Sequence, residues 1–191
     1  MLAPASELEA VNSMLASIGE SPVTRLEEAG VVDAAMALDA LRNVSREVQS
    51  RGWYFNTDLA YPLVPTAEDK NIELPRNALK VEPTGSDRRS GLVFRGGYLY
   101  NREKHTFKFK STVKANVVLL IPFEDLPQSA RTYITVRAAR TFQQNSVGSA
   151  ELAGFKLEDE ARALVHLKEA EAEIAGYNVL DSSSVAEVML R

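Results

Sequence analysis

The sequence contains no cysteine among its 191 residues, and its two histidines are His105 and His166. The absence of cysteine excludes disulfide cross-links, thiolate zinc sites, iron–sulfur clusters and cysteine nucleophiles. Two histidines far apart in the chain leave any metal site dependent on carboxylates for most of its ligands. The chain also lacks GxSxG, Walker A and HExxH motifs, which mark common hydrolase, nucleotide and zinc-protease sites. We therefore expect no cofactor and no metal.

Long apolar runs are missing as well. The longest aliphatic run, residues 117–121, is far too short to cross a bilayer. Residues 1–10 hold no Lys or Arg and no apolar run, which argues against a secretory signal. A hydrophobic fraction of 45% and a charged fraction of 25% are ordinary for a globular chain with a sizeable core. We expect a soluble protein, made in the cytoplasm and without membrane contact.

Charge is divided unevenly along the chain. The whole sequence has 22 Lys and Arg against 26 Asp and Glu, a net charge of -4, which excludes a wholly basic nucleic-acid protein. Residues 70–114 nevertheless hold eleven basic and four acidic residues, so this segment is +7 and the remainder is -11. A dipolar chain of this kind suits contact with a nucleic-acid backbone, with an acidic partner, or between neighbouring copies in a ring. A solvated surface without a partner is the remaining interpretation.

Helical periodicity occupies both ends of the chain. Helices are predicted where apolar residues recur every three or four positions, over residues 6–18, 33–51, 125–144 and 157–175. Ser6 and Glu9 form a capping box at the first helix, which Gly19 is expected to end in a left-handed conformation. Gly176 is expected to end the fourth helix. The residues predicted to face inward on that helix are Ala161, Leu164, Val165, Ala172 and Ala175.

The middle of the chain has the pattern of short strands interrupted by prolines. Strands are predicted at residues 78–81, 106–109 and 113–121, and two more within residues 92–100. Gly96 and Gly97 form the turn between the last two, because glycine accepts positive φ freely. The nearly continuous apolar character of residues 113–121 predicts a central strand.

The order of these elements predicts an α+β fold. A four-helix bundle, made of residues 1–55 and 124–176, is the simplest way for the helices to bury their apolar stripes. Residues 56–123 then form an inserted basic lobe, small, antiparallel and sandwich- or barrel-like. Residues 177–191 show little autonomous structure and are predicted to be an extended C-terminal arm.

Three clusters suggest chemistry, and each also has a plain structural explanation. Residues 108–110, Lys-Phe-Lys, together with Phe107, resemble a strand that stacks on bases, but they equally describe an amphipathic strand with its phenylalanines inward. The carboxylates at Glu124-Asp125 and at residues 158–160 suggest a glycosidase acid and base, yet acidic residues are also expected at helix starts. His166 on the fourth helix is interpreted as a surface or interface residue rather than a catalytic base.

Several short strings in the sequence are distinctive. The two most specific are residues 49–56, QSRGWYFN, and residues 95–100, RGGYLY. Further distinctive strings are residues 10–12, 15–20, 22–23, 124–127, 138–142, 176–178 and 180–181. Together these strings resemble the tail tubular protein A family of short-tailed bacteriophages. They follow the family order over nearly the whole chain, although residues 61–89 show no such match.

This resemblance implies a structural virion protein and not an enzyme. Members of the family are head–tail adaptors, or gatekeepers, and form a dodecameric ring between the portal and the tail nozzle. The implied partners are other copies of the chain, the portal protein, the nozzle protein (tail tubular protein B) and, non-specifically, the double-stranded DNA that leaves through the channel. The implied location is the virion tail, after assembly in the host cytoplasm.

The residues expected at partner interfaces fall into three groups. Four surround the glycine turn and are either exposed contacts, for example to the nozzle, or cross-strand partners: Arg95, Tyr98, Tyr100 and Arg102. Two on the third helix need acidic partners, from the fourth helix or from a neighbouring subunit: Arg137 and Arg140. Three are expected to help dock the C-terminal arm: Asn178, Leu180 and Asp181.

Two other functions fit parts of the sequence. The first is a tail-associated glycan hydrolase that uses two carboxylates to cut host surface polysaccharide. The second is a free DNA-binding protein that uses the basic lobe, which predicts salt-sensitive binding to duplex DNA by the monomer.

Overall fold

The computed structural model describes residues 4–26, 32–85, 91–146 and 150–180, and it describes their side chains except at residues 145–156 and 175–180. The fold is mixed α+β. The described α-helices are α1 (Glu7–Ala16), α2 (Val32–Gln49), α3 (Gln128–Ser146) and α4 (Ala150–Leu180). The described strands are β1 (Thr57–Leu63), β2 (Ala78–Pro83), β3 (Leu92–Arg95), β4 (Tyr98–Asn101) and β5 (Val113–Leu119).

The chain separates into two compact units. The helical unit comprises Met1–Val48 and Pro122–Arg191, and the β unit comprises Gln49–Ile121. The polypeptide therefore passes from one unit to the other twice, at the end of α2 and just after β5.

Helix α1 begins and ends as its sequence predicts. The Ser6 hydroxyl accepts a hydrogen bond from the Glu9 N–H at 3.3 Å, which satisfies one of the free donors at the helix start. The Glu9 carboxylate completes the cap one residue earlier than expected, because it accepts from the Ala5 N–H at 2.6 Å instead of that of Ser6. Gly19 has φ of +85°, the left-handed conformation predicted to end this helix.

Helix α3 is the packing centre of the helical unit. It lies against α4 and α1, and its residues Ile134, Ala138 and Phe142 are buried at the predicted four-residue spacing. Among the described side chains of α4, however, the buried residues are Ala163 and Leu167, whereas three of the residues predicted to be inward are exposed: Ala161, Val165 and Ala172. The predicted inward face of α4 was therefore wrong.

The ends of α4 also differ from the prediction. The helix begins at Ala150 and continues past Gly176 to Leu180, so the predicted end at Gly176 was wrong. A glycine inside a helix costs only about 1 kcal/mol relative to alanine, and helical neighbours on both sides outweigh that cost. The first four residues of the predicted arm, 177–180, are accordingly helical, and residues 181–191 lie outside the described residues.

The β unit is built around the central strand β5. The sheet order is β1-β5-β2, with both neighbours antiparallel to β5, which confirms the central position predicted from its apolar sequence. The core of this unit consists of Leu63, Ile72, Leu74, Leu99, Phe109, Val113, Ala115 and Val117. In the described residues the strands form this open sheet and a separate hairpin, not a closed barrel.

That separate hairpin is β3–β4. It turns at Gly96 and Gly97, whose φ angles of +59° and +87° confirm the predicted turn. The strand predicted at residues 106–109 does not form. Instead, Thr106 bridges Asn101 and Lys108 bridges Asn71, so the segment meets two different neighbours in succession and builds no continuous ladder.

Buried amides join the two ends of the β unit. The Gln49 side chain is fully buried, donates to the Ile121 carbonyl at 3.0 Å and accepts from the Ile121 N–H at 2.8 Å. The Asn56 amide donates to the carbonyls of Gln49 and Leu119, while its oxygen accepts from the Trp53 N–H. The QSRGWYFN string is therefore a structural clamp between the first and last segments of this unit.

Strand β1 lies at the edge of its sheet and is poorly suited to pair with a further strand. Pro62 has no N–H to donate, and the register shifts between Asp58 and Tyr61, where Ala60 has φ of +50°. Proline and bulges are typical of edges that resist the addition of another chain. Leu59 on this strand is nevertheless 75% exposed.

Candidate interaction surfaces

One surface of the β unit combines aromatic rings with cations; we call Arg95, Tyr98, Tyr100, Phe107 and Lys108 the aromatic–cationic face. Arg95 and Tyr98 are directly opposite each other in the β3–β4 hairpin. The guanidinium carbon of Arg95 lies 4.2 Å from the centre of the Tyr100 ring, and that ring lies 4.7 Å from the Phe107 ring. A stacked cation and two touching rings hold one another in a defined arrangement.

The residues of this face remain accessible. Tyr98 is 40% exposed and Phe107 is 37% exposed, while Arg95 and Lys108 are also exposed. Phe109, in contrast, is buried in the core of the unit. The two phenylalanines of this segment thus separate. Phe109 is buried as the amphipathic-strand interpretation expected, whereas Phe107, which that interpretation also placed inward, is exposed.

A shallow hollow of about 420 Å³ opens beside these rings. It is lined by Asn71, Tyr98, His105, Thr106, Phe107 and Lys108. His105 has φ of +50°, an uncommon backbone conformation for a residue other than glycine, and it stands in the turn that brings Phe107 back to the hairpin. The lining of the hollow combines amide, hydroxyl and cationic donors with ring surfaces, which suits a ligand that is both anionic and partly apolar.

The structure brings together three of the four contact residues predicted around the glycine turn. Arg95, Tyr98 and Tyr100 belong to the aromatic–cationic face, whereas Arg102 follows the end of β4 and is exposed. The Arg102 N–H donates to the Gly91 carbonyl at 3.0 Å. Sequence reasoning did not place His105 or Asn71 beside these rings.

The two arginines predicted on α3 have partners within the chain. The Arg137 guanidinium lies 2.5 Å from the Glu47 carboxylate of α2 and 3.8 Å from the Glu160 carboxylate of α4. Arg140 forms a charge-assisted hydrogen bond with the same Glu160 carboxylate. Glu160 thus pairs with both cations while Glu47 supplies a second negative charge, which explains why α4 turns Glu160 toward α3.

The electrostatic environment of Arg137 favours its charged form. Burial lowers the pKa of the Arg137 guanidinium, but the hydrogen bond with Tyr133 and the charge of Glu47 outweigh burial. The net result is a pKa above the ordinary arginine value. This arrangement describes a structural ion network that links three helices, and the role of Arg137 and Arg140 at a partner interface stays a prediction.

The carboxylates considered for acid–base chemistry also have structural contacts. Glu124 accepts a hydrogen bond from the Glu7 N–H at 3.1 Å, and Glu7 forms a two-point pair with Arg42 at 2.8 and 3.0 Å. The hydrogen bond with Glu7 raises the pKa of Arg42 despite partial burial. Asp159 lies 3.9 Å from Arg162, on the exposed side of α4.

The remaining predicted site residues lie on or beyond α4. His166 is exposed and lies 3.2 Å from Glu169, as expected for a surface histidine. Asn178 and Leu180 belong to the last turns of α4, and Asp181 lies outside the described residues.

Among the residues that the structure describes, no cluster of three acidic or histidine side chains is arranged to hold a metal ion. Within the same ranges, no helix has the length and apolar character needed to span a membrane.

Comparison with known proteins assigns the class of this protein. It matches, over residues 8–177, a family model described as Tail tubular protein, and it is therefore a structural component of a bacteriophage tail. The chain belongs to the tail tubular protein family. It is similar to tail tubular protein A of Klebsiella phage KP34, with 33% identity over 164 residues that cover 85% of this chain and 86% of that protein.

Proposed function

We propose that this protein is the adaptor ring of a short phage tail, which joins the portal to the tail nozzle and lines the channel for DNA ejection. Its partners in this role are other copies of itself in a dodecamer, the portal protein, the nozzle protein and the exiting DNA. Assembly takes place in the host cytoplasm, and the finished ring resides in the virion tail. Membership of the tail tubular protein family supports this role.

The observation that carries the proposal is the opposite charge of the two units. The β unit holds twelve Lys and Arg against seven Asp and Glu, a net charge of +5. The helical unit holds ten Lys and Arg against nineteen Asp and Glu, a net charge of -9. A ring requires two different lateral surfaces that complement each other, and opposite charges provide such complementarity and favour correct docking.

The domain division in this proposal has three parts. Residues 1–48 and 122–176 form the helical base of the ring subunit, and residues 49–121 form the inserted basic lobe. The C-terminal segment, residues 177–191, is a partner-binding arm that begins as the last turn of α4 and contacts the portal or the adjacent subunit.

The direct test is the molar mass of the purified chain by light scattering, first alone and then mixed with the purified portal protein. We expect a large, discrete ring, either spontaneously or upon addition of portal. Its formation should weaken as salt rises, because opposite charges at the surface are screened. A chain that stays monomeric in the presence of portal, with no co-migrating complex, contradicts the proposal. Release of reducing sugar from host polysaccharide by that monomer would instead support a glycan hydrolase.

A further inference from the structure

We infer that the aromatic–cationic face of one copy binds the outer face of α4 of a second copy. This inference rests on the proposed ring and specifies its lateral contact. The outer face of α4 is defined here by four exposed apolar residues: Leu157, Ala161, Val165 and Ala172.

The aromatic–cationic face has the composition of a protein-binding surface. Tyrosine and arginine are the residues that most often carry the free energy of binding at protein interfaces. The guanidinium carbon of Arg95 lies over the Tyr100 ring. A guanidinium that stacks on a ring through its face keeps N–H donors at its edge, and these donors suit a carboxylate. Tyr98 and Phe107 provide apolar ring surface beside that charge, and Lys108 provides a second cation. A matching surface must therefore present carboxylates next to apolar side chains.

The same face is less suited to duplex DNA. Stacked base pairs offer no free base surface to exposed rings such as Tyr98 and Phe107, so these rings would gain little from a duplex. An isolated bridge joins Glu73 to Tyr98, and Glu73 is exposed, so a negative residue stands beside the face. A carboxylate in this position opposes phosphate, whereas a protein partner can avoid or pair with it.

The outer face of α4 meets the requirement for carboxylates and apolar side chains. Leu157 is 59% exposed and Val165 is 51% exposed, and the spacing of four residues places them with Ala161 on one side of the helix. From Leu157 to Ala172 this apolar stripe extends about 22 Å, at 1.5 Å per residue.

Carboxylates lie beside the apolar stripe, as the cations of the aromatic–cationic face require. Glu158 and Glu169 lie along one edge of it and both are exposed. Residues 157–174 hold six acidic and two basic residues, a net charge of -4, although one of the basic residues, Lys168, lies within the stripe. This segment is therefore negative where the β unit, with a net charge of +5, is positive.

These two surfaces differ and both belong to the same chain, so their contact is head-to-tail. A head-to-tail contact closes into a ring when the rotation between successive copies permits it. The exposed apolar residues of α4, which the packing of α3 leaves uncovered, thus acquire a partner in the neighbouring subunit. Opposite charge sets the orientation, and the rings and the aliphatic side chains bury apolar area.

Disulfide trapping tests this contact without background, because the chain has no cysteine of its own. Thr106→Cys and Ala161→Cys are small replacements, one in the hollow of the face and one in the middle of the α4 stripe. We expect the mixed full-length variants, under mild oxidation, to form a disulfide between positions 106 and 161 at least tenfold faster than one between positions 59 and 161. The comparison variant Leu59→Cys places a thiol on β1 of the same unit at a position that is more exposed than half-buried Thr106, so greater exposure cannot explain faster trapping at position 106.

Charge-reversal variants provide a second test of the contact between the two faces. Arg95→Glu with Lys108→Glu disables one face, and Glu158→Lys with Glu169→Lys disables the other. Each pair of changes should lower self-trapping at least tenfold in a chain that carries both Thr106→Cys and Ala161→Cys. Mixing the two reversed chains should restore association, measured by sedimentation, because each contact then joins either two unaltered faces or two faces whose charges are both reversed.

The outcomes separate this contact from the ring itself. Equal trapping rates at positions 59 and 106, or no trapping at all in the presence of the purified portal protein, would overturn the inference. Normal ring assembly on the portal by the Arg95→Glu, Lys108→Glu chain would also overturn it, while the adaptor proposal would stand. Loss of duplex DNA binding by that chain, with unchanged trapping and assembly, would assign the face to DNA instead.

Discussion

Replacement of Asn56 by alanine should destabilise the β unit by about 3 kcal/mol. The buried Asn56 amide makes three hydrogen bonds to the main chain, accepting from the Trp53 N–H at 2.8 Å and donating to the carbonyls of Gln49 and Leu119 at 2.9 and 2.8 Å. Leaving a buried polar group without its partner costs about 1–3 kcal/mol.

These three losses are unequal, and their differences determine the estimate. The Gln49 carbonyl keeps a second donor, the Gly52 N–H at 3.1 Å, so it contributes least. The Trp53 N–H loses the acceptor that the Asn56 side chain provides, and the cost of this loss falls within the same range. A sum near 3 kcal/mol follows, equivalent to a change of about two orders of magnitude in the folding equilibrium constant.

Asn77→Ala is the matched control. Asn77 also donates its amide to a carbonyl near the end of β5, that of Leu120 at 3.1 Å, but it is exposed. Water replaces an exposed donor, so this variant should lose less than about 1 kcal/mol.

Urea denaturation followed by tryptophan fluorescence is the appropriate assay, because Trp53 is the only tryptophan of the chain and is buried within this unit. The signal therefore reports the β unit even when the two units unfold separately. A loss below about 1 kcal/mol for Asn56→Ala, or one equal to that of Asn77→Ala, would refute the clamp as a source of stability.

Two further predictions concern the ion network and a glycine. Glu160→Gln should lower the free energy of unfolding by about 1–3 kcal/mol at pH 7, because it leaves Arg137 and Arg140 without their shared, partly exposed carboxylate. Glu158 is exposed, so Glu158→Gln should lower the free energy of unfolding by about 0.5 kcal/mol or less. Equal melting temperatures of the two variants in thermal denaturation would contradict this account. Gly52→Ala should cost about 2–4 kcal/mol, since φ is +78° and a Cβ would lie 3.0 Å from Val118 Cγ2. Gly19→Ala, at φ of +85° with open space around the Cβ, should cost only about 1–2 kcal/mol, and the same denaturation curves check whether the two glycines differ.

Local features of the fold were predictable because their causes lie within a few residues. The Ser6 cap, the left-handed Gly19 and the Gly96–Gly97 turn each depend on the chemistry of one or two side chains or on their absence. The central position of β5 followed from an apolar run that only a strand covered on both sides tolerates.

The candidate site was only partly predictable, because some of its residues come from segments that are distant in the sequence. Arg95, Tyr98 and Tyr100 lie within six residues of one another, and a short motif sufficed to group them. His105 and Phe107 come from a returning segment, and Asn71 from one far earlier in the chain. Their arrival beside Tyr98 depends on contacts between distant segments, which no local pattern records.

The face of α4 that is buried is the feature that the sequence determined least. Its apolar residues form two stripes, one through Ala163 and Leu167 and one through Ala161 and Val165, and periodicity alone cannot choose between them. Sequence established that this segment is helical, that the chain has no thiol chemistry and that its charge is divided. The packing of α3 established which stripe is buried, because only one orientation also brings Glu160 to Arg137 and Arg140. The other stripe is left exposed for that same reason.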